Sequence, residues 1–299
     1  MSVAGTVRIG ISGWRYAGWR GVFYPKGLQQ RRELEFASRT FSSIEINGTF
    51  YSLQKPKQFQ QWVEDTPDDF VFSLKGSRYI THMLKLRNID TALSNYLASG
   101  VLALGRKMGP VLWQFAPQMH WDRERFQTFF AKLPRSTREA ARIARRCDDR
   151  MLGRSVLDAA EDLPMRHCVE IRHESFAVPG FVDLLREHGI GLVVADTVEW
   201  PLLMDVTADF VYCRLHGSEQ LYASGYEGEE LELWADRVAA FATGQAAPGR
   251  FAGSGGGDGQ AREVFVYFDN DMKVRAPFDA LALQERVEQR LANAAPNRT

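Results

Sequence analysis

Ser43-Ile44-Glu45-Ile46-Asn47-Gly48-Thr49-Phe50-Tyr51 alternates apolar and polar side chains until a glycine opens a loop. Successive strand side chains point to opposite faces, so Glu45 and Asn47 share one side of a short strand. The same design recurs along the chain. Asp69 to Gly76 carries Lys75, Gly109 to Ala116 carries Gln114, and His167 to His173 carries Glu170 and Arg172. Gly191 to Asp196 ends at Asp196, Asp209 to Gly217 carries Arg214 and His216, and Glu263 to Asp271 carries Asn270. In each run the polar residue comes late. Strands that end in charged groups present them beside the following loops, where α/β barrels build their sites.

Between these runs, Arg31 to Thr40, Lys57 to Asp65, Asn88 to Lys107, Arg123 to Leu133, Phe181 to His188, Glu229 to Thr243 and Phe278 to Leu291 place apolar residues at helical spacings. With Val7 to Gly13 added, the strand count reaches eight. Alternating strands and helices call for a parallel sheet with right-handed crossovers, and eight repeats can close it. The expected fold is a single-domain, closed parallel (β/α)8 TIM barrel spanning 1–299, with an open doubly wound sheet as the competitor. Residues 136–163 read as an inserted helical piece. Its Arg138, Arg142, Arg145 and Arg146 lie near one face, which offers a nucleic-acid contact, although a solvated face is the plainer reading. Residues 249–261, rich in glycine, read as a flexible connection at the end of the barrel opposite the site, since they precede the last strand and lack a phosphate loop's lysine.

Composition narrows the partners. The 299 residues include 37 Lys plus Arg and 37 Asp plus Glu, so no overall field draws the chain to nucleic acid or anionic lipid. No apolar stretch is long enough to span a bilayer, and the N-terminus lacks a basic segment followed by an apolar run. Cys147, Cys168 and Cys213 are odd in number and outside paired metal spacings, which points to reduced thiols in a cytoplasmic protein.

Several strings together resemble one family. Gly10-Ile11-Ser12-Gly13-Trp14 with Trp19, Gly21, Phe23, Tyr24 and Pro25 is similar to the opening of the YecE-like family, domain of unknown function 72. Glu45 to Tyr51, Lys75 with Arg78, Thr81 and His82, Gln114-Phe115, Glu170-Ile171-Arg172-His173, Tyr212 to Gly217, Tyr226 and Phe268-Asp269-Asn270 match it in order. The likeness runs from about residue 8 to 280. Ala116 departs from it, standing where proline commonly follows Gln-Phe, and residues 136–163 and the glycine loop look like additions. The resemblance implies a TIM barrel and supplies no agreed reaction.

The chemistry must come from the residues. Glu45, Asn47, Lys75, Gln114, Glu170, Arg172, Asp196, Arg214, His216 and Asn270 are expected to converge at the barrel mouth. Glu170, His216, Glu45 and Asp196 are the candidate acid–base groups, Glu170 foremost because Arg172 can hold it ionised. Lys75, Arg172 and Arg214 are candidate clamps for a phosphate or carboxylate. Asn47, Gln114 and Asn270 supply further polar contacts. Trp14, Tyr16, Trp19, His82, Tyr222 and Tyr226 are candidates for stacking on a ring. An internal salt-bridge network that merely closes the barrel is the plainest alternative. Three classes of function follow: an enzyme using carboxylate and histidine acid–base chemistry on a small anionic molecule such as a phosphorylated or carboxylated sugar, with no cofactor; a metal-assisted hydrolase with a divalent ion on Glu170, Asp196 and His216; and a non-catalytic binding module.

Overall fold

A computed structural model describes residues 4–217, 225–270 and 273–294. Eight parallel strands close into one barrel in chain order. They are β1 (Val7–Ser12), β2 (Ser43–Ile46), β3 (Val71–Lys75), β4 (Met108–Gln114), β5 (His167–Glu170), β6 (Gly191–Asp196), β7 (Phe210–Leu215) and β8 (Glu263–Phe268). Closure runs through β1 and β8, paired from Val7 with Val264 to Ile11 with Phe268. The outer layer contains α1 (Glu33–Thr40), α2 (Gly48–Tyr51), α3 (Pro56–Glu64), α4 (Asp90–Ala98), α5 (Arg123–Lys132), α6 (Thr137–Ala144), α7 (Pro179–His188), α8 (Gly228–Thr243) and α9 (Arg275–Ala294).

Local chemistry sets these boundaries. Asp122 accepts the Arg125 N–H to start α5, and Ser136 accepts the Glu139 N–H to start α6. Pro56 and Pro179 occupy first-turn positions of α3 and α7, where the missing N–H costs nothing. Every expected run contains a strand, but several strands stop sooner than the apolar pattern. The chain coils into α2 directly after Asn47, and β5 ends at Glu170, leaving Arg172 and His173 in a loop. Asp271, the last residue of the final expected run, lies outside the described residues.

Alternation divides the apolar residues into two shells. Outward side chains such as Ile44, Leu74, Trp113, Val169 and Val194 join the large core beneath the helices. The enclosed cluster holds Leu112, Cys168, Val193, Ala195, Phe210, Tyr212, Phe265 and Tyr267. Barrel interiors usually fill with branched aliphatic residues; this one is threaded by hydroxyls. The Tyr267 hydroxyl lies 2.5 Å from Ser43 Oγ and 2.7 Å from Ser73 Oγ, tying β8 to β2 and β3.

The two added segments are both fastened down. Thr137 donates its N–H to Leu163 O and its hydroxyl to Glu161 O, and the Val156 N–H reaches Ala98 O at the end of α4. Two of the four arginines on the face of 136–163 are paired, Arg138 with Asp162 and Arg145 with Asp158, beside Arg106–Glu161. The glycine-rich stretch climbs the outer wall instead of staying at the foot of the barrel. Asp205 accepts the N–H groups of Ala252 and Gly253, and the Met204 N–H donates to Arg250 O. Gly249 and Arg250 thereby reach a cleft shared with Arg172, His173 and Trp200, on the same side as the predicted site. A Cβ at Gly253 would stand 2.8 Å from a methyl of Val182, so close packing explains that glycine.

Candidate functional site at the barrel mouth

The carboxyl ends of β2, β5, β7 and β8 surround one guanidinium. Arg214 donates from Nε and Nη2 to Glu45 Oε2 and Oε1 at 3.0 and 2.9 Å, from Nη1 to Glu170 Oε2 at 2.5 Å, and from Nη2 to Asp269 Oδ2 at 2.9 Å. Arg214, Glu45 and Glu170 are fully buried. Burial disfavours the Arg214 charge, but Glu170, Glu45 and Asp269 outweigh it and keep the guanidinium protonated.

Glu45 is saturated. Its Oε1 also accepts the Ser12 hydroxyl, and its Oε2 accepts the Tyr212 hydroxyl at 2.6 Å. Such a carboxylate fixes Arg214 and has no lone pair left for a substrate proton. Asn47 belongs to the same set, donating from Nδ2 to Ser12 Oγ at 3.0 Å. Glu170 is gripped on both oxygens, Oε1 by Arg172 at 2.7 Å and Oε2 by Arg214, with His216 Nε2 3.5 Å away. Burial pushes its carboxyl up, yet Arg214, Arg172 and His216 hold it well below the usual carboxylate range. Glu170 is therefore a permanent anion near neutral pH and a poor proton acceptor. His216 lies between two acids, with Nδ1 3.1 Å from Asp269 Oδ2, and the edge of its ring meets Trp200 at a centroid distance of 5.3 Å.

Lys75 stands apart from this network. Its side chain, 7% exposed, follows Ser73 on the inward face of β3, and the ammonium lies 4.7 Å above the Phe50 ring. Among the described residues it has no hydrogen bond or ion pair. Burial, then Arg214, lowers its pKa to about 8 despite the opposing pull of Glu45, Asp269 and Glu170. Gln114, at the end of β4, is also unspent: its buried Oε1 has no hydrogen-bond partner among the described residues. Leaving a buried acceptor unsatisfied costs about 1–3 kcal/mol, so its carbonyl is available to a ligand. His82, held by Thr81 Oγ1 at 2.8 Å and edge-on to Phe50, completes this side. Burial, then Arg172 and Lys75, push its imidazole below its ordinary value. Arg172 lies 3.7 Å over the Trp200 ring.

Four expected site residues do not join this group. Asp196 is out of phase. The inward positions of β6 are Val193 and Ala195, so Asp196 turns outward and accepts the Trp234 indole N–H from α8 at 2.7 Å. The set of Glu170, Asp196 and His216 imagined around a divalent ion is consequently not assembled, and no cluster of three or more potential ligands occurs among the described residues. Asn270 turns away to donate to Asp279 Oδ2 at 2.8 Å, while its neighbour Asp269 takes the inward place in step with Phe265 and Tyr267. Trp14 packs edge-on to Trp62 and against Phe72 outside the strands, and Tyr226 serves the fold by accepting the Gly217 N–H. Tyr16 and Trp19 pack against each other in the first loop, their rings tilted by 34°; Tyr222 lies outside the described residues.

Sequence reasoning overlooked Ser12, Tyr212, Asp269, Phe50 and Trp200. Strict alternation through Phe265, Tyr267 and Asp269 identifies the acid, and through Tyr212 and Arg214 the phenol. Phe50 and Trp200 are on post-strand segments without a period to follow. Open clefts flank the cluster. One of about 290 Å³ is lined by Trp14, Arg15, Asn47, Gln54 and Gln58, and one of about 620 Å³ by Arg172, Trp200, Arg237 and Arg250.

Comparison with known proteins places the architecture. A DUF72 family protein from Thermotoga maritima MSB8 superposes with a TM-score of 0.71 at 22% identity, covering 95% of this chain and 99% of that one. One from Enterococcus faecalis V583 gives 0.66 at 16% identity over 95% and 96% of the two chains. In sequence, UPF0759 protein YecE of Escherichia coli (strain K12) is 27% identical over 173 residues, 51% of this chain and 59% of that protein. UPF0759 protein YunF of Bacillus subtilis (strain 168) is 28% identical over 129 residues, 40% and 43% respectively. The chain thus spans about half the length of these curated relatives. The model of the family described as "Protein of unknown function DUF72" matches residues 8–299, and the chain belongs to that family.

Proposed function

We propose that the barrel mouth binds a small polar molecule by its phosphate or carboxylate and acts on it by acid–base chemistry. The observation that carries this reading is the contrast between Arg214, whose charge is fully spent on three carboxylates, and Lys75, whose charge has no counter-ion among the described residues. A buried cation without a partner is costly and is relieved when an anion arrives. Gln114 ends β4 beside Glu170, its partner in register at the end of β5, and Arg172 follows two residues later in the loop. They offer an amide and a fork for the rest of the ligand. Proton transfer in this reading falls to His82, kept neutral near pH 7, and not to the clamped Glu170. Phe50 and Trp200 supply apolar walls. No helix among the described residues is long and apolar enough to cross a membrane, and the three cysteines are free, which suits our assignment to the cytoplasm.

Calorimetric titration with a sugar phosphate and its neutral parent sugar tests the reading. Lys75→Met should weaken the phosphate by about 2–5 kcal/mol and leave the neutral sugar nearly unchanged. Equal affinity of wild type for the two ligands would overturn it.

A further inference from the structure

We propose that Lys75 is a covalent nucleophile that forms an imine with an aldehyde or ketone group on the bound anion. The inference rests on the anion-binding reading and names a substrate class for it: carbonyl compounds bearing a phosphate or carboxylate, whose anionic group passes to the Arg172 fork once the Lys75 ammonium that attracted it gives up its proton. Three features of the site point to an amine that also does chemistry. Its side chain is at the carboxyl end of a barrel strand, where substrates of such folds lie. It has no carboxylate in contact that would hold it as a permanent ammonium, although Glu45, Glu170 and Asp269 all lie close enough to act on it and are each bound to Arg214 instead. Its flank is the apolar ring of Phe50, and the nearby guanidinium of Arg214 further disfavours a second positive charge. Burial beside another cation is an established way to expose an amine lone pair near neutral pH.

The step balances without a co-reactant. The neutral Nζ adds to the carbonyl carbon as the C=O π pair moves to oxygen, and the amine proton passes to that oxygen to give a carbinolamine. Loss of water, with the second amine proton, breaks the C–O bond and leaves C=N. Gln114 Oε1, buried without a partner, can accept a hydrogen bond from the carbinolamine hydroxyl or a substrate hydroxyl. Once protonated, the imine withdraws electrons from the adjacent carbon. That prepares a C–H or C–C bond for cleavage, with the neutral imidazole of His82 on the same side as the proton acceptor.

Trapping tests the proposal on the whole chain. Protein is incubated with dihydroxyacetone phosphate and sodium cyanoborohydride, digested and mapped by mass spectrometry, with dihydroxyacetone in a parallel arm and phosphate binding measured by calorimetry. The expected result is a reduced adduct on Lys75 formed about tenfold faster than on any exposed lysine, as for an activated amine. Its rate should rise with pH toward a plateau above about 8, and added inorganic phosphate should protect it. In Lys75→Arg the adduct should vanish; if that variant fails to fold, the phosphate protection in wild type carries the test. Labelling spread evenly over surface lysines, while phosphate still binds, overturns the imine and leaves the anion site standing. An adduct on Lys75 formed equally well by both ketones supports the imine and overturns the anion reading.

Discussion

The barrel is closed at both ends by arginine and glutamate, and the two closures differ in what they leave unspent. At the foot, Glu263 takes Arg8 on one oxygen at 2.8 Å and Arg166 on the other at 2.7 Å, with all three side chains 20–25% exposed. Arg166 also covers the rings of Phe210 and Phe265 at 5.1 Å. Each charge there has an opposite partner and contact with water. At the mouth, Arg214, Glu45 and Glu170 are sealed from water, while Lys75 and Gln114 retain donors and an acceptor with nothing bound to them among the described residues. A satisfied, screened end is a plug; an end carrying unsatisfied polar groups is held in a state that a ligand improves.

The largest expected effect is at the mouth. Arg214→Met leaves Glu45, Glu170 and Asp269 without their shared cation and should cost about 3–5 kcal/mol of stability in urea unfolding.

 A loss below about 1 kcal/mol would equate the mouth with the foot and break the comparison.

Lys75→Met should act in the opposite sense. The folded pKa of Lys75 is about 8 against an ordinary 10.5, so between those values the unfolded chain binds more protons and stability rises with pH. The folded state therefore bears the full penalty below pH 8, and the substitution should stabilise the protein there by up to about 3 kcal/mol, the gain fading toward pH 10.5. Melts across that pH range check both sign and window. A destabilised variant at pH 7 would mean that Lys75 is a structural cation.

Asp196→Asn sharpens the contrast between inward and outward strand ends. It weakens one hydrogen bond to Trp234, so it should cost about 1 kcal/mol and leave phosphate binding unchanged in calorimetry. The smallest effect belongs to the foot. Glu263→Gln should cost about 1 kcal/mol or less, with a salt dependence that the buried mouth lacks.

Much of this arrangement was legible in the sequence, and the failures have separate causes. Eight strands, the closed barrel and the inward positions of Glu45, Lys75, Gln114, Glu170 and Arg214 all follow from alternation and late polar residues. Asp196 ends its run and Asn270 comes next to the end of its own, although the period of two puts Ala195 and Asp269 on the inner face. Position at a strand end and position on its inner face are separate requirements, and only the second aims a side chain. Trp14 and Tyr226 show a different limit: an aromatic in a loop can pack beneath that loop or cover a ligand, and no local pattern distinguishes the two. The climb of Gly249 and Arg250 beside the mouth depends on Asp205, a contact 47 and 48 residues away from its partners Ala252 and Gly253, which no short window contains.

The Arg214 hub also constrains how the chain can fold. Its bonds join it to residues 169, 44 and 55 positions away in sequence, on β2, on β5 and just after β8. Separations of that size place the hub among the last contacts that a growing barrel can make, because each requires a long loop to be closed first. Until β8 docks between β1 and β7, Arg214 lacks Asp269 and the interior remains open to water. Closure and neutralisation are then one event, and partial barrels are penalised by the charges they leave half-matched. The same residues that set the electrostatics of the mouth would thus make assembly of the barrel cooperative and slow, with unfolding gated by the rupture of a single guanidinium from its acids.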